Sequence, residues 1–85
     1  MKKVIILNSD DWQACYVDGN CIKQSHKLGE GMSFLHFIKE ASIKYNFTLD
    51  DIKQIWYDEA DEETLDRLGC FPDKFDDLIG NYDCS

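Results

Sequence analysis

The chain has 85 residues, 44% of them apolar and 13% aromatic, with a formal charge of −8 at neutral pH. That length makes one domain, 1–85, with enough apolar content for a core but no room for a roomy cofactor cavity. The negative charge disfavours direct contact with nucleic acid or an anionic membrane, and it favours a basic partner or divalent cations.

In chain order, the first signal is "KVIILN" at 3–8, a β-branched apolar run that reads as a buried strand. The same region, "KKVIILN", is too short for a signal peptide, and no stretch reaches the length of a membrane span. A soluble cytoplasmic protein is the expectation. "SDD" follows with turn chemistry, since Ser and Asp side chains bond nearby backbone.

"WQACYVDGNCIKQSH" predicts a hairpin with strands over 12–17 and 20–26 and a turn at Asp18 and Gly19. A two-residue turn pairs Val17 with Asn20, Tyr16 with Cys21 and Cys15 with Ile22. Cys15 and Cys21 then face opposite sides of the sheet, which argues against a bond between them. With no sign of a secreted context, Cys15, Cys21, Cys70 and Cys84 are read as free thiols.

"KLGEGMS" reads as a connector. Next comes a helix over 33–46, with apolar residues at 34, 35, 37, 38, 41 and 45 and a wet side of Lys39, Glu40, Ser42 and Lys44. "TLDDIKQIWYDE" suits either element: Thr48 and Asp51 resemble a capping box, whereas Ile52 to Tyr57 favour β structure. A strand over 52–58 is the preferred reading.

The last third is where the charge sits. Residues 57–84 hold ten carboxylates against two cations, Arg67 and Lys74, while the first 56 residues are electrically balanced. "DEETLDRLG" predicts a short helix with acids at its start and Gly69 as its stop. "FPDKFDDLIG" repeats that grammar, with Pro72 near the first position and Gly80 past the end. The expected fold is α+β: an antiparallel sheet of three to four strands (β-β-β-α-β), one main helix and two short acidic helices at the end.

Several chemical readings fail on spacing. Cys15, Cys21, His26 and His36 lack the paired ligand spacing of a zinc site. Counting from Asp58, the sixth position of a calcium loop would be Glu63 where glycine is needed. Gly29 and Gly31 flank Glu30, which would repel a phosphate. No third group marks a Cys–His nucleophilic pair. No cofactor, no metal and no catalytic residue is expected.

The acidic third remains. Glu62 and Asp66 lie four apart, as do Asp73 and Asp77, and like charges at helical spacing repel one another. A cationic partner would relieve that repulsion. The predicted binding patch is therefore Asp58, Glu59, Asp61, Glu62, Glu63, Asp66, Asp73, Asp76 and Asp77. Trp12 and Tyr16 are added as aromatic anchors, whereas Trp56 is assigned to the core. The alternative is a self-associating structural or regulatory module whose hairpin edge or long helix makes a homodimer, with the acids conferring only solubility.

"DDWQACYVDGNCIKQSHKLGEG" resembles small bacterial and prophage proteins in which a "DDW" turn leads to a "YVDG" hairpin and an "H-x-L" segment. In general character the chain is similar to phage-encoded inhibitors of host defence, anti-CRISPR-like proteins that occupy the basic groove where a nuclease holds nucleic acid. That resemblance implies a nucleic-acid mimic acting in a bacterial host cell.

Overall fold

A computed structural model describes residues 3–29, 31–80 and 82. Four strands, β1 (Val4–Asn8), β2 (Gln13–Val17), β3 (Asn20–Ser25) and β4 (Ile52–Trp56), form one sheet in the order β3-β2-β1-β4. Helix α1 (Met32–Tyr45) crosses one face. The opposite face is covered by the C-terminal segment, which includes helix α2 (Glu62–Leu68).

β1 lies inside the sheet with both faces covered, so Val4, Ile5, Ile6 and Leu7 are all buried. Its continuous apolar run is what such a position requires. Val4 and Ile6 join Cys15, Val17, Leu28, Ile38, Ala41 and Phe47 beneath α1. Ile5 and Leu7 join Ala14, Tyr16 and Phe71 on the other side.

The hairpin turns at Asp18 and Gly19, both with positive φ, as a two-residue turn of this kind demands. Val17 pairs with Asn20 and Tyr16 with Cys21, but a bulge then places Cys15 opposite Lys23 in place of Ile22. The extra residue leaves the facing of the thiols intact: Cys15 packs under α1 and Cys21 against the opposite cluster.

The sheet is mixed, which corrects the antiparallel expectation. β1 pairs antiparallel with β2 but parallel with β4. The cause is α1: a helix between two strands carries the chain back to its starting end, so β4 runs in the direction of β3 and hence of β1. α1 begins after Gly29, whose absent Cβ would lie 2.7 Å from the Phe34 backbone nitrogen. The connector is therefore a close approach that needs glycine. α1 ends at Asn46, in left-handed conformation, and Phe47 tucks into the core behind it.

The ambiguous stretch holds both elements in succession. A 3-10 turn at Leu49–Asp51 precedes β4, and the Thr48 N–H donates to the Asp51 carboxylate at 3.0 Å. The second C-terminal helix is corrected to a single 3-10 turn at Phe75–Asp77. The residues before it are committed to the sheet through main-chain bonds, which leaves too few free for a helix.

Candidate functional site: an acidic layer over the sheet

The acidic third is a folded layer, and polar pins hold it. Beyond β4, the Tyr57 N–H donates to the Asn8 carbonyl at 2.8 Å and continues the strand direction briefly. Asp58 caps the next turn, Glu59–Asp61, by accepting from the Ala60 N–H at 2.9 Å. α2 follows and stops at Gly69, whose φ of 73° is the left-handed cap that glycine adopts without strain.

Past α2 the chain runs along the hairpin. Gln24 grips Phe71 from both sides: its Nε2 donates to the Phe71 carbonyl at 2.9 Å, and its Oε1 accepts the Phe71 N–H at 2.8 Å. The Trp12 indole N–H donates to that same Oε1. The Tyr16 hydroxyl donates to the Pro72 carbonyl at 2.6 Å. The Cys21 N–H then donates to the Asp73 carbonyl and the Phe75 N–H to the Gly19 carbonyl, each at 2.8 Å. The segment thereby pairs with the end of β3 at an Asn20–Lys74 bridge, where the Lys74 ammonium also donates to the Asn20 side-chain oxygen.

A buried carboxylate closes the layer. Asp61 is 1% exposed and accepts from the Ile79 N–H at 2.8 Å, the Gly80 N–H at 3.0 Å and the Tyr82 hydroxyl at 2.5 Å. The Asp58 N–H donates in turn to the Tyr82 oxygen at 2.9 Å. Burial, followed by the Asp61 hydrogen bond, raises the Tyr82 phenol well above its usual range. Gly80 is obligatory here, because a Cβ would lie 2.4 Å from the Asp58 Cβ.

The predicted patch divides accordingly. Glu59, Glu62, Glu63, Asp66, Asp73, Asp76 and Asp77 are exposed on the layer. Asp58 is half-buried as a cap. Asp61 is an internal anchor and leaves the patch, since three hydrogen bonds consume its oxygens. Glu62 and Asp66 do share α2. Asp73 and Asp77 do not share a helix, since only Phe75–Asp77 turns. The acids spread along the sheet from the end near Tyr57 to the hairpin turn, roughly the 17 Å length of a five-residue strand.

The aromatic anchors are reassigned. Tyr16, expected at the surface, is 0% exposed and edge-on to Phe75 with ring centroids 5.3 Å apart. Trp12 is half-buried, with its ring edge-to-face against His26 at 5.1 Å. Trp56, assigned to the core, is 60% exposed at the end of the edge strand.

Two acids from the electrically balanced part of the chain join the layer. Partial burial, then the carboxylates of Glu62, Asp10, Asp66 and Asp11, push the Tyr57 phenol up. Asp11 and Asp66 also line a cleft with Trp12, His26, Leu65 and Gly69, where the His26 Nδ1–H donates to the Asp11 carbonyl. Sequence reading misses Asp10 and Asp11 because their contact with α2 is made only through the fold. The "SDD" turn does carry a local signal: Ser9 N–H and hydroxyl both donate to the Trp12 carbonyl, fixing the loop that presents them.

Two of the thiols are held in the neutral form by their surroundings. Burial first, then Cys21, pushes the Cys15 thiol up to about 12. Burial likewise raises Cys21, with Asp73 and Cys70 adding to it and the Lys23 backbone opposing it. Cys84 lies outside the described residues. Among the described residues no group of three or more His, Cys, Asp or Glu is placed to hold a metal ion. Among them, too, no helix is long and apolar enough to cross a membrane.

No protein-family profile matches the chain, and comparisons with curated proteins and with solved structures return no significant match.

Proposed function

We propose that the chain is a non-enzymatic binding protein that sets its C-terminal carboxylates against a basic surface of another protein. The surface in question is the kind with which a nuclease or similar enzyme holds phosphates. In that reading the chain is a nucleic-acid mimic, and its resemblance to phage-encoded inhibitors of host defence points to action in the bacterial cytoplasm. Inhibition is by blockade: the acidic layer occupies the groove and excludes the true ligand. The carboxylates also draw in a cationic partner and speed encounter.

One observation carries the reading. Seven exposed carboxylates ride on a segment that is anchored to the sheet by Gln24, Tyr16 and Asp61. A fixed display keeps like charges in place before the partner arrives, so little ordering cost remains at binding. A solvated tail would lack that advantage.

The test is capture from a host lysate by the native chain and by a variant with Glu59, Glu62, Glu63, Asp66, Asp73, Asp76 and Asp77 changed to their amides. The native chain is expected to retain a basic nucleic-acid-binding protein and to lose it as salt rises. The variant, folded by circular dichroism, is expected to retain none. Equal capture by both contradicts the proposal.

A self-associating module is the second reading, favoured by the apolar side chains of Leu35 and Leu49, which stand exposed on one groove beside Ile52. Light scattering separates the two. A dimer that persists at high salt supports self-association, and a monomer supports the blockade.

A further inference from the structure

The two edges of the sheet are treated differently. At the β3 edge, residues 73–75 form main-chain bonds with Gly19 and Cys21 beside the hairpin turn. At the other edge β4 is the last strand among the described residues, paired to β1 along one side. An edge strand offers a row of main-chain donors and acceptors on its outer side, and proteins commonly blunt such edges with proline, a bulge or a covering loop. β4 (IKQIW) contains no proline and its register with β1 runs without a break, and its one lysine, Lys53, is in register with Ile5 and so lies on the face away from α1.

A groove lies beside that edge. The register puts Ile52, Gln54 and Trp56 on the α1 side of the sheet. Between Ile52, Gln54 and α1 is a cavity of about 380 Å³, closed on its other sides by Ile6, Phe34, Leu35, Ile38 and Leu49. Its rim is apolar and wet: Leu35 is 55% exposed and Leu49 71% exposed. This groove is on the opposite side of the sheet from the acidic layer.

Charge selects the occupant. Asp50 and Asp51 precede β4, and Asp58 and Glu59 follow it. A second copy paired antiparallel about Gln54 would set Asp50 against Asp58 twice, between two chains of charge −8. Like charges directly opposite are destabilising. An extended segment with basic residues at its ends and apolar residues at alternate positions meets both the edge and its flanks.

The geometry points to β4 as an acceptor of such a segment from a partner protein, which adds as a fifth strand and places an apolar side chain in the groove between α1 and β4. Main-chain bonds supply affinity in this mode, and the groove supplies selectivity. The inference differs from the blockade by the acidic layer in its strand edge and groove, and shares with it only Asp58 and Glu59 at the end of β4.

The experiment uses a synthetic peptide with lysines at both ends and alternating valine and threonine between them. A second peptide of the same sequence is methylated on alternate backbone nitrogens, which keeps its charge and side chains but removes main-chain donors. Amide spectra of the whole chain are recorded with each. The first peptide is expected to shift and protect the amides of Gln54 and Trp56, whose main chain faces away from β1, while that of Ile55, which faces β1, keeps its exchange rate. The methylated peptide is expected to bind about tenfold more weakly, the loss of one or two net hydrogen bonds. Leu49→Ser, at an exposed site, is expected to weaken the first peptide without unfolding the chain. Equal binding of both peptides, with shifts confined to α2 and residues 73–77, overturns the inference while leaving the acidic-layer reading intact. Binding of neither peptide overturns it, as does a dimer whose β4 amides are protected without peptide.

Discussion

The two faces of the sheet are covered by different physics. Beneath α1 the contacts are apolar: Ile38, Ala41 and Phe47 against Val4, Ile6, Cys15 and Val17. Beneath the acidic layer the apolar contacts of Phe71, Phe75 and Leu78 are supplemented by directed hydrogen bonds, donated by Gln24 and Tyr16 and accepted by Asp61. The difference follows from secondary structure. α1 satisfies its own backbone and needs only a greasy face. Residues 69–80 form no α-helix, so their main-chain groups must find partners elsewhere. A segment can thus be largely irregular, strongly charged and still fixed, provided a few side chains pair with its backbone.

The most severe break in that contrast is Asp61→Ala. It strands the Ile79 and Gly80 N–H groups and the Tyr82 hydroxyl, so a loss of about 3 kcal/mol is expected in urea unfolding. Amide exchange should rise across residues 71–80 and leave α1 protected. A loss below about 1 kcal/mol would mean that the layer is held by apolar contact alone.

Gln24→Ala comes next. It removes both bonds to buried Phe71 and the one from Trp12, and about 2 kcal/mol is expected by the same measurement. The altered fluorescence of Trp12 would report the release locally. If α1 loosened together with the layer, the two faces would be a single cooperative unit and the contrast would fail.

Alkaline pH probes both faces with a smaller effect. The Cys15 thiol, with its value raised to about 12, and the Tyr16 and Tyr82 phenols, both raised by burial, are neutral in the fold after the unfolded chain has begun to ionise. Protons are then bound more tightly by the folded state, so stability is full below the ordinary thiol range and falls as pH rises through it. Cys15 alone should account for about 1 kcal/mol between pH 8 and pH 10. Cys15→Ala should flatten that part of the pH profile, and an unchanged slope would contradict the burial of the thiol. Smallest is Trp56→Ala, expected to shift stability by less than about 0.5 kcal/mol because the ring is exposed.

Much of the first face is legible in the sequence, because its signals are local. "KVIILN" reads as a buried strand, Asp18–Gly19 as a hairpin turn, and the spacing from Phe34 to Tyr45 as a helix. Leu35 belongs to the same apolar stripe yet stays exposed, at the open groove beside β4. Trp56 is misassigned for a related reason: residue type alone does not distinguish an edge strand from a central one.

The second face is less legible. Asp61 has nothing in its composition to separate it from Glu62 and Glu63, since its burial depends on Gly80 and Tyr82 arriving from about a quarter of the chain away. Asp73 to Asp77 imitate a helix start, but the hairpin claims their backbone first. Asp10 and Asp11 join Glu62 and Asp66 only in three dimensions.

The measurement that bears most directly on the acidic layer is competition on a captured partner. The partner is immobilised, saturated with the native chain and titrated with duplex DNA in dilute and in physiological salt. Release of the chain in proportion to DNA bound, with neither ligand able to occupy the partner alongside the other, is the predicted result. Simultaneous occupancy by chain and DNA, or release unaffected when the seven exposed carboxylates are amides, would contradict it.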